Sequence, residues 1–248
     1  MMSSTRLLIS ILFSSAIVVY GKPTSESCDQ MVLKADGCLR HLIMIGREKV
    51  VLPRSIADVD KYVCSTVNDD ITCIVGARQC LNPFPRTLFN VAIRSSRNTV
   101  KKAICSNDNG KQGLVDALSC VTTPERERQM FSVLDKAAKT LDYIVEQSDL
   151  NNMMSKLCCT YQHTMSFVDA DTRPWCPKGA SFVEKIVSGI FGDAIDLGCG
   201  QFSNMNSCLK KFPDMMETFA QTFENYTERH DYSPLIPALR ILNKLDTE

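Results

Sequence analysis

The feature that most constrains the fold of this chain is its set of twelve cysteines: Cys28, Cys38, Cys64, Cys73, Cys80, Cys105, Cys120, Cys158, Cys159, Cys176, Cys199 and Cys208. An even set of that size reads as a disulfide framework made in an oxidising compartment. Six bridges follow, but the pairing stays open, because twelve thiols allow on the order of ten thousand connectivities. Each bridge contributes about 2–4 kcal/mol by restricting the unfolded chain. A chain of 248 residues is long enough to bury a core without staples, unlike a chain below ~40 residues. The bridges therefore point to a need beyond foldability. Resistance to proteases or to a harsh fluid is one such need, and an elongated helical body with a thin core is another.

The N-terminus fits that compartment. Arg6 precedes an uncharged apolar run, Leu7 to Tyr20, and Val19-Tyr20-Gly21 offers a cleavage site after Gly21. This is the order of a secretory signal peptide, expected over residues 1–21. The run is shorter than the roughly 20 residues that cross a bilayer, and no later stretch is suited to span one. Removal of the leader takes Arg6 alone from totals of 28 basic and 28 acidic residues, leaving 27 and 28 and a net charge of −1. That balance lacks the electrostatic footprint of a nucleic-acid binder, and no Lys/Arg block suggests an anionic membrane surface.

The apolar spacing predicts an all-α fold, a disulfide-stapled multi-helix bundle or short helical array. A first helix carries Met31, Val32, Leu39 and Leu42, with a break at Gly37. Ser55 and Asp58 mark a helix start before Val59 and Val63. Asn68-Asp69-Asp70 is read as the cap of a helix with Ile71, Ile74 and Val75. Pro85 sits in the first turn of a longer helix that reaches about Cys105. Asn107 to Gly110 reads as a turn. Thr122 and Glu125 form a capping-box pattern with Pro124 between them, ahead of Phe131, Leu134, Ala138, Leu141 and Ile144. Asp149 is read as the cap of the next helix, which holds the stretch Ser155–Met165. Asp169 to Pro177 reads as a loop. Phe182, Ile186, Ile190 and Ile195 predict a helix weakened by Gly189 and Gly192. Alternating β-type runs are missing.

Residues 22–224 make up the cysteine-rich helical domain. A tail, 225–248, holds a short amphipathic helix with Leu239, Ile241, Leu242 and Leu245. The segments that start at Cys80 (CLNPFPRTLFNVA) and Cys208 (CLKKFPDMMETFA) share Cys-Leu-x-x-Phe-Pro. They hint at two weakly related halves, about 28–120 and 121–224. Asn225-Tyr226-Thr227 is the sequon, so Asn225 is the candidate glycosylation site.

Inventory argues against catalysis. His41, His163 and His230 are the three histidines. The chain has no nucleophile elbow, P-loop or dinucleotide fingerprint. Secreted phospholipases carry a Cys-Cys-x-x-His-Asp helix beside a calcium loop. Here Cys158-Cys159-Thr160-Tyr161-Gln162-His163 is one residue too long, Thr164 replaces the aspartate, and the glycine-rich loop is missing. One extra residue turns a side chain by about 100°. Zinc at Cys159 and His163 would need further ligands at recognisable spacing. The same 100° step instead lets Cys158 and Cys159 reach two different neighbouring segments, with His163 at the surface. Met153, Met154, Met165, Met205, Met215 and Met216 read first as core filler and second as the lining of an apolar cavity.

The spacing Cys28-x9-Cys38-x25-Cys64-x8-Cys73-x6-Cys80-x24-Cys105-x14-Cys120 resembles the secreted twelve-cysteine domains of nematodes and arthropods, catalogued as the T20D4-type domain of unknown function. Cys158, Cys159, Cys176, Cys199 and Cys208 complete the set, so the resemblance covers residues 28–208. By size, secretion, helicity and sequon the chain is also similar to insect 27-kilodalton haemolymph glycoproteins. Both resemblances imply an invertebrate extracellular protein, and neither lends a catalytic residue.

The sequence thus predicts a secreted, non-enzymatic protein with no cofactor and no metal. It acts by extracellular binding or as a durable constituent of a secretion such as haemolymph, venom or silk. The alternative is a carrier of a lipid or other small apolar ligand, and a phospholipase-like enzyme ranks third. The expected partner is an extracellular protein or a small apolar ligand.

Overall fold

A computed structural model describes residues 25–42, 51–146, 152–226 and 233–244. The leader region and Asp149 lie outside the described residues. The described chain is helical throughout, with no strand. The helices are α1 (Ser25–Leu42), α2 (Ile56–Val59), α3 (Val67–Val75), α4 (Pro83–Asn98), α5 (Asp108–Leu118), α6 (Pro124–Glu146), α7 (Met153–Phe167), α8 (Pro177–Gly198), α9 (Met205–Lys211), α10 (Pro213–Asn225) and α11 (Leu235–Lys244). Three of them run on into π-helical turns: α2 into Asp60–Cys64, α4 into Thr99–Cys105 and α7 into Val168–Thr172.

Local chemistry sets the helix starts. The Ser55 hydroxyl accepts from the Asp58 amide (3.2 Å), while the Asp58 carboxylate accepts from the Ser55 hydroxyl and the Arg54 amide. Asn107 and Asn204, both in extended backbone, accept from the amides of Gly110 and Ser207. Each such cap satisfies an otherwise orphaned donor.

Several expectations need correcting. Asn107–Gly110 is not a free turn but the start of α5. The Arg126 amide donates to the Thr123 hydroxyl, so Thr123 rather than Thr122 caps α6. Thr66 precedes α3, which places Asp69 and Asp70 inside its first turn, where they complement the helix dipole. Residues 168–172 continue α7 instead of forming a loop.

Neither Gly37 nor Gly192 interrupts its helix, and a side chain at either would meet open space. Gly189 has a different reason to be small. A Cβ there would lie 2.8 Å from the Thr99 hydroxyl, which donates to the Gly189 carbonyl at 2.9 Å. Ser95 donates to Asp193 at 2.9 Å one turn away. These contacts fix α4 and α8 as an antiparallel, closely packed pair.

One core holds Val59, Val63, Val67, Ile71, Val100, Ile104 and Leu114, with Phe182 and Ile186 of α8 packed against it. A second holds Leu141, Ile144, Met153, Met215, Met216, Phe219 and the four half-cystines Cys158, Cys159, Cys199 and Cys208. Helix α11 places Ile241 in the second core and Leu239 in a third that holds Ala35, Ile74 and Phe89. Buried aliphatic side chains of this kind contribute about 1.5–3 kcal/mol each. Its entry is pinned by buried Asp36 of α1, which accepts from both the amide and the hydroxyl of Ser233. Desolvation pushes the Asp36 carboxyl above its usual range, against the lowering by those bonds.

The bridges are Cys28–Cys80, Cys38–Cys73, Cys64–Cys105, Cys120–Cys176, Cys158–Cys199 and Cys159–Cys208. They fall into two groups of three, within 28–105 and within 120–208, and no bridge joins the groups. Cys120 is thus tied into the second group. The repeated Cys-Leu-x-x-Phe-Pro segments have a structural counterpart. Cys73 and Cys80 are both stapled to α1, and Cys199 and Cys208 both to α7. The order differs, however: the first two bridges are nested and the second two are interleaved. Only the local arrangement is shared.

Candidate functional site

The stretch Ser155–Met165 forms the middle of α7. Cys158 and Cys159 are both buried, and one helical step separates their directions. Cys158 reaches Cys199 at the end of α8 (Cα–Cα 5.7 Å), and Cys159 reaches Cys208 on α9 (5.5 Å). One turn of α7 therefore holds two different segments. The described residues include no free cysteine. A disulfide sulfur is not a thiolate, so Cys159 cannot act with His163 as a metal-ligand pair. Among the described residues no group of three or more His, Cys, Asp and Glu is placed to hold a metal ion.

His163 lies one turn beyond Cys159 and is half-buried against α10, which corrects its expected place at the surface. Its ring meets Phe223 edge-on with centroids 4.8 Å apart, and Phe219 at 5.9 Å. Phe167, a further turn along, meets Phe223 at 4.8 Å and carries the Lys136 ammonium over its ring, 4.7 Å from the centroid. The His163 Nδ1 is buried without a hydrogen-bond partner. Burial holds its imidazole below the ordinary range, so the neutral form is favoured. A general base in a triad is oriented by a hydrogen-bonded acid, and His163 has none in place. Thr164 donates to the Thr160 carbonyl at 2.9 Å within its own helix. The arrangement suits aromatic packing between α7 and α10. Phe219 and Phe223 stand more than fifty residues away in sequence, and their i, i+4 spacing on α10 is the one signal that they share a face.

Of the other histidines, His41 pairs with Asp70 through Nδ1 at 2.7 Å and ties α1 to α3. His230 lies outside the described residues. Asn225 is the last residue of α10 and is exposed, its Nδ2 donating to the Gln221 carbonyl at 3.0 Å. The Thr227 of its sequon lies outside the described residues.

Ligand-sized sites are usually enclosed clefts of roughly 300–1,000 Å³. One depression, about 510 Å³, is an open groove between α5 and α8 lined by Asp116, Lys178, Phe182 and Lys185. A smaller cleft of about 70 Å³ lies beside Met165 and the Arg173–Glu184 ion pair. Met153, Met215 and Met216 are buried in the second core, with Met154 and Met205 against it. No described helix is long and apolar enough to cross a membrane. No protein-family model matches this chain, and neither a curated protein nor a solved structure does.

Proposed function

We propose that the chain is a secreted protein that works by binding in an extracellular fluid, or as a durable constituent of one, and not as an enzyme. The observation that carries this reading is the pairing of all twelve cysteines in six bridges. Such a set persists only where thiols are oxidised. Durability has support in the loop map. Every peptide bond from Cys28 to Cys105 and from Cys120 to Cys208 lies inside at least one covalent ring. A protease cut there leaves the pieces attached. Five of the six methionines that a carrier would need around a cavity, Met153, Met154, Met205, Met215 and Met216, serve instead in or against the core, which favours the binding or constituent role over the carrier.

The test is intact mass of the protein from the medium of secreting cells, with and without reduction. Six bridges predict a gain of about 12 Da, one hydrogen per thiol, on a chain that begins at Lys22. Free thiols in the native protein, or a chain that stays in the cell with its leader, would overturn the proposal. An added glycan mass removed by an amidase specific for Asn-linked glycans would place the modification at Asn225. The likeness to twelve-cysteine secreted domains belongs to the same proposal. A member of that family should pair its cysteines first to fifth, second to fourth, third to sixth, seventh to tenth, eighth to eleventh and ninth to twelfth, and a different order would break the kinship.

A further inference from the structure

The neutral overall charge conceals a strongly one-sided segment. Between Asp70 and Asp108 the chain has no acidic residue, yet it carries Arg78, Arg86, Arg94, Arg97, Lys101 and Lys102. The last four of these lie on α4 and its π-helical extension, and all four are exposed. Helical spacing puts Arg94, Arg97 and Lys101 on one line. The i to i+5 repeat of the π turn keeps Lys102 in line after Arg97. The stripe runs roughly 12 Å along the helix axis.

Four other surface cations of this protein have acidic partners: Lys111 with Asp60, Arg128 with Glu125, Arg173 with Asp169 and Glu184, Lys178 with Asp116. Arg94, Arg97, Lys101 and Lys102 make no ion pair with any described residue. On α8, which carries Glu184, Asp193 and Asp196, Asp193 accepts from Ser95. The antiparallel register of α4 and α8 sets exposed Lys185 level with the Thr99–Cys105 turn. Attraction to the carbonyl end of the helix accounts for Lys101 and Lys102, but that effect fades within one turn and leaves Arg94 and Arg97 unexplained.

We propose that this stripe binds a linear polyanion of the extracellular space, a sulfated or carboxylated polysaccharide laid along α4. Counterion release from such a chain drives association onto a row of fixed cations. Insertion into a lipid surface needs an exposed apolar helix face, and the apolar face of α4, with Leu88, Phe89, Val100 and Ile104, is buried. Single-stranded nucleic acid is held by aromatic side chains interleaved with the cations, and this line has none. The choice of polysaccharide rests on the extracellular reading above.

The secreted protein, applied to immobilised heparin at pH 7, should be retained and elute in a salt gradient. Dextran sulfate should compete, and neutral dextran should not. Arg94→Gln, Arg97→Gln and Lys101→Gln combined should make the dependence of log affinity on log salt shallower by about three. Lys34→Gln, Lys210→Gln and Lys211→Gln, exposed elsewhere, remove the same charge and should change it little. Flow-through of the wild type at low salt, equal loss in both triple variants, or a preference for anionic phospholipid vesicles would overturn the inference. If the mass measurement shows a processed, six-bridge protein and binding still fails, the polyanion site alone falls. Free thiols and an intact leader would instead remove the extracellular reading beneath it.

Discussion

Removing the two bridges of the adjacent half-cystines together should cost more than the two single removals added. Cys158 and Cys159 are neighbours in the chain, and their partners Cys199 and Cys208 are nine residues apart. While one bridge stands, the other closes a ring of only about twelve residues, worth about 2.8 kcal/mol in the chain-entropy account. Once its neighbour is gone, the same bridge closes a ring with a separation of 41 or 49 residues, worth about 4 kcal/mol. Replacing Cys158 and Cys199 by Ala, or Cys159 and Cys208, should thus cost about 2.8 kcal/mol each, and all four together about 6.8. The excess, about 1.2 kcal/mol, is the coupling expected of bridges that share a neighbourhood. The same cycle between Cys158–Cys199 and Cys64–Cys105, which belong to different groups, should be additive within about 0.3–0.5 kcal/mol.

Guanidinium unfolding without reductant measures all four corners of each cycle. A stabilising osmolyte in every arm serves if the fourfold variant is unfolded in buffer alone. All four sulfurs are buried in one core, so lost packing adds its own cost. The entropic coupling resides in the unfolded chain and should appear in the refolding rate, whereas lost packing appears mainly in the unfolding rate. Additivity within the adjacent pair, or a coupling confined to the unfolding rate, would refute the reasoning.

Limited proteolysis should show the covalent partition directly: a single cut between Cys105 and Cys120 separates two bands on a non-reducing gel, whereas a single cut elsewhere in 28–208 leaves one. A single cut at α5 that leaves one band would require a bridge between the groups. His163 should make the fold less stable in mild acid. Its lowered pKa means that its contribution is fully present above the ordinary value near 6.5 and is lost as pH falls through the depressed folded value. His163→Phe should flatten thermal stability between pH 7 and 5, and an unchanged slope would remove His163 as the cause. Gly189→Ala should destabilise by about 1–3 kcal/mol through overpacking, despite the better helix propensity of alanine. Thr99→Ala removes the two nearest atoms and should rescue it, and a stabilised single variant would show that α4 and α8 part easily.

What the sequence carried well was local. The 3- and 4-residue steps of α6 and the Ser55 cap depend on neighbours a few positions away. So does the divergence of Cys158 and Cys159, because one helical step fixes it. What it carried poorly depended on distant partners. Gly189 reads as a helix breaker until Thr99 is set against it, since the cost of glycine, about 1 kcal/mol, is offset by a close helix crossing. His163 reads as a surface residue until Phe219 and Phe223 arrive from α10. The bridge pairing has no local determinant at all. The basic stripe is an exception of another kind: it was open to a count of charge by segment, and summing over the whole chain erased it.

The covalent and non-covalent organisations of this protein are out of phase. Bridges divide the chain between Cys105 and Cys120, but packing ignores that boundary. Helix α8, from the second group, lies against α4 of the first and against the linking helix α5, and α11 returns past the last bridge to bury Leu239 beside α1. Three bridges fix the inside of each group, so the relation between groups rests on ordinary contacts, Thr99 on Gly189 and Ser95 on Asp193, with Lys178 on Asp116 of the linking helix and Asp36 on Ser233 of the tail beside them. The link between groups is itself a helix, α5, whose last turn is held by the Arg54 guanidinium donating to the Leu118 and Val121 carbonyls at 3.1 and 2.6 Å. Bridges that restrict only the interior of a group do nothing to hold one group to the other. The seam along α8 is therefore where this otherwise stapled molecule depends on packing, and it is also the seam that α4 and its basic stripe border.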